Sequence, residues 1–218
     1  MSKLREQVGT EGLIPFEGFR LKGELAIPPG AAGVVLFAHG SGSSRHSPRN
    51  QFVARTLREH GLGTLLFDLL TPEEEEEDRF TGHLRFDINL LAQRLLGATR
   101  WFHGEQSSKL IGYFGSSTGG GAALVADAHS ETPIQAIVSR GGRPDLAGAE
   151  LAQVKAPALL IVGGNDDVVI EMNRAAFEKM KCPKELRLVA GATHLFEEPG
   201  ALDQVAEMAA AWFNRHFK

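Results

Sequence analysis

The stretch Lys109–Ala128, KLIGYFGSSTGGGAALVADA, decides the fold. Lys109–Phe114 is a short apolar run rich in strand formers, and Thr118–Ala128 carries the composition of a helix. Between them Gly115-Ser116-Ser117-Thr118-Gly119 fits G-x-S-x-G. The requirement behind that pattern is steric. A chain that turns from strand to helix within two residues brings its own backbones close together, so small residues are needed two before and two after the turn. Ser117 is then presented at the tip of the strand and at the positive end of the following helix.

Working outward, the same alternation recurs. Leu21–Ile27, Val34–Ala38, Thr64–Phe67, Ile134–Val138, Ala158–Val162 and Glu185–Val189 read as further strands. Asn50–His60, His83–His103, Glu171–Met180 and Ala201–Phe217 read as helices by their apolar spacing. Alternating β and α predicts one α/β domain over 1–218, with a core from about 21 to 218. Its sheet is expected to be mostly parallel, with helices on both faces. In such sheets ligands bind beyond the carboxyl ends of the strands. The acidic run Glu73–Asp78 interrupts the pattern and reads as a solvated surface loop.

A serine hydroxyl is a weak nucleophile, so it needs a base within hydrogen-bond reach and a third group to orient that base. Three histidines follow Ser117. His129 lies late in the helix after the turn and His216 in the last helix turn, which leaves His194, in the loop after the final strand. The acid should follow the strand Ala158–Val162, where Gly163-Gly164-Asn165-Asp166-Asp167 stands. The spacing Gly163, Asp166, Val169 favours Asp166 over Asp167, with Glu171 a distant third. Acyl transfer also needs donors aimed at the developing oxyanion. Thr118 N–H is one candidate. The second comes from the loop His39–Ser44, at Ser41 or, failing that, Gly42, with His39 bracing the loop.

Taken in order, HGSGSS, GSSTGG, GGNDDVV and GATHLF resemble the α/β-hydrolase superfamily, and within it the small chains related to dienelactone hydrolase. The resemblance runs from about Leu21 to Lys218. It implies a Ser117–Asp166–His194 triad, an acyl-enzyme mechanism, no cofactor, no metal and no cap domain. A chain of this length has little room for a lid, so an open, shallow pocket is expected. Dienelactone hydrolase itself carries cysteine where this chain has Ser117, so an ester, thioester or similar acyl compound is the expected substrate. A protein of the same fold that binds a ligand without turning it over is the alternative; labelling by a fluorophosphonate probe separates the two. Phosphate binding through the glycine-rich loops is disfavoured, because no Gly-Lys dipeptide is present and GSSTGGG does not fit G-x-G-x-x-G.

Arg45 and Arg49 follow the oxyanion loop, and Arg140 and Arg143 follow the strand Ile134–Val138. Arg45 and Arg140 are the candidates to bind an anionic group on the substrate, since a guanidinium fork matches carboxylate or phosphate. Pairing with local acids such as Asp145 is the competing expectation. The net charge of −4 and the lack of a basic run argue against nucleic acid as a partner. Met1–Gln7 is too polar for a leader, no apolar run is long enough to span a bilayer, and Cys182 stands alone. A reducing cytoplasm is the expected compartment.

Overall fold

A computed structural model describes residues 9–218, so the reading of Met1–Gln7 lies outside the described residues. Eight strands form one sheet: β1 (Thr10–Phe16), β2 (Phe19–Ala26), β3 (Gly33–Ala38), β4 (Gly63–Phe67), β5 (Leu110–Ser116), β6 (Ile134–Arg140), β7 (Ala158–Gly163) and β8 (Lys184–Val189). Their order is β1-β2-β4-β3-β5-β6-β7-β8. From β4 to β8 the neighbours are parallel, while β1–β2 and β2–β4 are antiparallel. The helices are α1 (Pro48–Glu59), α2 (Pro72–Thr81), α3 (Ile88–Glu105), α4 (Thr118–His129), α5 (Asp167–Lys179) and α6 (Ala201–His216).

The central strands β3, β4 and β7 are buried at every position, which is why they read as unbroken apolar runs. Alternate residues feed two cores. Leu36, Tyr113, Ile137 and Leu160 pack on one face beneath α3 and α4. Phe37, Phe114, Val138 and Ile161 pack on the other beneath α1 and α6. Each fully buried side chain of this kind stabilises the fold by about 1.5–3 kcal/mol. The edge strand β8, KELRLV, buries only Val189 fully, and its charged residues discourage further pairing.

Three features depart from the sequence reading. The acidic run Glu73–Asp78 is not a solvated loop but the body of α2. Thr71 caps it, Pro72 takes the first helical position, and Thr71 and Glu74 form a reciprocal capping box. Acids in the first turn face the positive helix end, Glu74 is paired with Arg94, and Asp78 is buried against Arg85. The helix expected over His83–His103 is broken by a short 3-10 turn at Leu84–Phe86 and restarts with Asp87 as its N-cap. Strand β1, unread in the sequence, is an edge strand with only Ile14 buried, joined to β2 through Gly18 at φ 85°.

Candidate active site

Strand β5 ends at Ser116 and α4 begins at Thr118, so Ser117 alone makes the turn. Its φ of 51° and ψ of −122° put it in a region that L-residues avoid, and the only other non-glycine at positive φ among the described residues is Phe196. Such a conformation costs about 1–3 kcal/mol and persists only where the surroundings impose it. They do so here. A Cβ at Gly115 would lie 2.6 Å from the Gly120 Cα, and one at Gly119 would lie 2.6 Å from the Ala38 carbonyl carbon and 2.7 Å from the His39 oxygen. Ser117 N–H donates to the Arg140 carbonyl at 3.2 Å, and Arg143 N–H to the Ser117 carbonyl at 3.0 Å. The hydroxyl therefore stands at the N-terminus of a helix whose position is fixed on three sides.

Asp166 and His194 come from loops that interlock. Gly164 N–H donates to Val189 O at 2.8 Å, Asn165 N–H to Ala192 O at 2.9 Å, and the Asn165 amide to Gly191 O at 3.0 Å. A Cβ at Gly163 would lie 2.5 Å from the carbonyl oxygens of both Ala192 and Thr193. Within this clasp His194 Nδ1 meets Asp166 Oδ2 at 2.7 Å, the carboxylate 15% and the imidazole 39% exposed. With Nδ1–H donating to the carboxylate, Nε2 has no hydrogen-bond partner among the described residues. Asp167 is the first residue of α5, faces solvent and makes no side-chain hydrogen bond among the described residues.

The imidazole reaches the serine's end of the sheet. Gly141 follows Arg140, the register partner of Ser116, and a Cβ there would lie 3.5 Å from His194 Cε1. No hydrogen bond within 3.5 Å joins Ser117 Oγ to His194 among the described residues. The structure thus joins acid to imidazole and brings the imidazole to the end of β6, the strand that neighbours β5 and its serine turn.

The loop Gly40–Ser44 is clamped at both ends onto the segment after β4. Leu69 N–H donates to His39 Nε2 at 3.0 Å, while His39 Nδ1 meets Gly40 O at 3.0 Å. Burial pushes the His39 imidazole below its ordinary pKa, so it is a neutral brace. At the other end Arg45 N–H donates to Asp68 Oδ1 at 2.8 Å, and the Arg45 guanidinium is ion-paired with Asp68. Gly40 packs on the turn: a Cβ there would lie 3.0 Å from Ser117 Cβ. The N–H groups of Ser41 and Thr118 have no acceptor among the described residues, so both remain available to a ligand.

The arginines separate cleanly. Arg45 is committed to Asp68 and lies 3.6 Å from Glu11; Arg143 is bidentate to Asp145 at 2.9 and 2.7 Å. Arg49 pairs with Glu197 at 3.1 Å, and Arg140 is buried without a partner among the described residues. A cavity of about 620 Å³ opens beside the loop His39–Ser44. The loop His39–Ser44 and Arg49 line one side of it, and Glu75, Asp78, Arg79 and Arg85 of the α2 region the other. Helix α2 thus raises a polar wall opposite the loop His39–Ser44.

Sequence reasoning missed two supports of the histidine loop. Phe196 plugs the core at φ 56°, and Glu198 Oε1 accepts from Thr193 N–H at 3.0 Å and Thr193 Oγ1 at 2.6 Å. The spacing Thr193-x-x-x-x-Glu198 in a loop carries no signal of its own.

Known proteins match this architecture. A dienelactone hydrolase structure from Anabaena variabilis is 55% identical, with a TM-score of 0.95 over 98% of this chain and 100% of that one. Est1E from Butyrivibrio proteoclasticus, 17% identical, shares the fold with a TM-score of 0.78 over 95% and 98% of the two chains. A Mycobacterium tuberculosis protein named "Putative phosphoribosyl transferase" is 55% identical over 196 residues, which are 89% of this chain and 43% of that protein. The chain therefore spans less than half the length of that curated relative. The dienelactone hydrolase family model matches residues 21–218, the whole span from β2 through the turn, the acid and the histidine to the last helix, and the chain belongs to the dienelactone hydrolase family.

Proposed function

We propose that this hydrolase-family chain is a serine hydrolase that cleaves a small ester, thioester or lactone through an acyl-enzyme. The observation that carries the reading is the 2.7 Å Asp166–His194 contact, taken together with a serine held at positive φ on a helix N-terminus. Ser117 Oγ attacks the acyl carbonyl as its proton passes to His194 Nε2, and Asp166 holds the tautomer and offsets the imidazolium charge. The N–H groups of Ser41 and Thr118 receive the oxyanion. His194 then protonates the leaving group, and a water activated by the same imidazole releases the acyl chain. Attack requires the serine hydroxyl to rotate toward His194, since catalytic contacts are often long without substrate.

The transferase name belongs to a protein more than twice as long. A strained serine beside an aspartate-oriented imidazole is a pattern for acyl transfer and favours hydrolysis here. The test is a panel of p-nitrophenyl esters and lactones with fluorophosphonate labelling. The wild type should turn over and label, and Ser117→Ala should lose at least about 10³-fold in kcat while staying folded. A Ser117→Ala enzyme that kept most of its rate would sink the assignment.

A further inference from the structure

The loop from β8 to α6 has to carry His194 from the edge of the sheet to the end of β6. It turns at Gly191, with φ 75°, and again at Phe196, a non-glycine residue with φ 56°. A left-handed conformation at a bulky residue is unfavourable in itself, so the loop keeps this path only where other contacts impose it.

Those contacts converge on Thr193, the residue before the imidazole. Its N–H donates to Glu198 Oε1 at 3.0 Å, and its hydroxyl donates to the same oxygen at 2.6 Å. Its carbonyl accepts from Phe196 N–H at 3.2 Å, and a Cβ at Gly163 would lie 2.5 Å from that carbonyl oxygen. The peptide groups on both sides of Thr193, and its side-chain torsion, are thereby held. Glu198 is itself held at the head of α6, where its carbonyl accepts from Ala201 N–H at 3.0 Å. Ala201, Val205 and Ala209 of that helix are buried in the core. Among the described residues, both side-chain hydrogen bonds of Glu198 end on Thr193, while Oε2 is buried with no partner. The Thr193 hydroxyl draws the Glu198 carboxyl below its ordinary pKa, so the brace is ionised at neutral pH. Hydrogen bonds to a carboxylate are shorter and stronger than those between neutral groups.

We propose that Glu198 is a positioning residue for His194: acting through Thr193, it ties the histidine loop to the rigid start of α6 and so fixes the angle at which the imidazole meets Asp166. That contact closes at 2.7 Å, and a group misplaced by about 1 Å in such an arrangement costs about 10²-fold in rate. The consequence for turnover rests on the hydrolase reading; the bond between imidazole and carboxylate does not.

The test reads both. On p-nitrophenyl acetate, Glu198→Ala should lower kcat about 10²-fold and leave KM within about threefold. Glu198→Gln keeps a side-chain carbonyl that can accept both Thr193 donors and should recover at least about a third of the wild-type kcat. Glu197→Gln is the control, because that carboxylate pairs at 3.1 Å with Arg49 in an exposed contact; it should change kcat by less than about twofold. Without substrate, proton NMR should show the downfield Nδ1–H resonance of the histidine–aspartate bond, assigned by its loss in Asp166→Asn. It should be sharp in the wild type and in Ser117→Ala, broadened in Glu198→Ala and restored in Glu198→Gln. Should Glu198→Ala fail to fold, Thr193→Val removes only the hydroxyl of a solvent-facing residue and should lower kcat about tenfold. Wild-type kcat with an unaltered resonance in Glu198→Ala, or a raised KM with kcat unchanged, would overturn the proposal. So would equal losses in the alanine and glutamine variants, which would assign the effect to charge. A wild type without esterase activity whose resonance still responds to Glu198→Ala would refute the hydrolase reading and leave the positioning role standing.

Discussion

Replacing Gly119 by alanine tests how closely the serine turn and the oxyanion loop must approach. The added Cβ would lie 2.6 Å from the Ala38 carbonyl carbon and 2.7 Å from the His39 oxygen. An ordinary carbon–carbon contact is about 3.5 Å, so about 1 Å must be found. Both obstacles are main chain and cannot swing aside as a side chain would. Overpacking typically costs about 1–3 kcal/mol, and rigid neighbours on both sides place this case near about 3 kcal/mol. For a chain of this size that lowers Tm by about 6–12 °C. The displaced residues, Ala38 and His39, lead directly into Gly40 and Ser41, so the loss reaches the proposed oxyanion donor. A shift of about 1 Å there should lower kcat about 10²-fold. Gly104→Ala is the control: it sits exposed in α3 with open space at its Cβ and should stabilise by about 0.5–1 kcal/mol. Calorimetry and p-nitrophenyl acetate hydrolysis read both effects. A Gly119→Ala protein with wild-type Tm would refute the packing argument, and one destabilised but fully active would show that this contact does not set the oxyanion donors.

Two further outcomes follow from the geometry. Asp166→Asn should lower kcat by about 10³–10⁴-fold by presenting the wrong tautomer to substrate, whereas Asp167→Asn should change it by less than about threefold; equal losses would mean the acid is misassigned. At Asp78, burial opposes the charge, yet the hydrogen bonds from Arg85 and Leu84 N–H prevail and hold its pKa below the ordinary value. A depressed folded pKa contributes stability above about pH 4 that disappears as the pH falls. Asp78→Asn should therefore destabilise by about 2 kcal/mol at pH 7, toward the modest end because Arg85 is 29% exposed. The gap to wild type should close below about pH 4 in urea titrations, and a gap that widened there would reverse the sign of the argument.

What was legible in the sequence was whatever one periodicity or one turn could carry. The buried runs Val34–Ala38 and Ala158–Val162 announce central strands because neither face meets water, and the serine turn shows itself through the glycines its close approach demands. Asp166 was separable from Asp167 because a helix begins between them and turns the second carboxylate outward. Strand β1 was not legible: Gly12 and Pro15 break the alternation, and its stability comes from pairing with β2. Helix α2 was hidden for another reason. Six acids in a row suggest repulsion, but Thr71-Pro72-Glu73-Glu74 is a capping signature, and the partners Arg85 and Arg94 lie further along the chain. The fate of each arginine depended on such distant partners. Nothing local to Arg45 points to Asp68, and nothing local to Arg140 reveals that no acid among the described residues pairs with it.

The clasp between the acid loop and the histidine loop hangs from β7 and β8, and β8 is an edge strand of the sheet with only Val189 buried. Peripheral strands are the first to fray on warming. The imidazole would then drift away from its carboxylate, while Asp166 stays seated after the buried β7 and the serine after β5. Heating should consequently extinguish turnover reversibly several degrees before circular dichroism registers any melting, making the catalyst its own most sensitive thermometer.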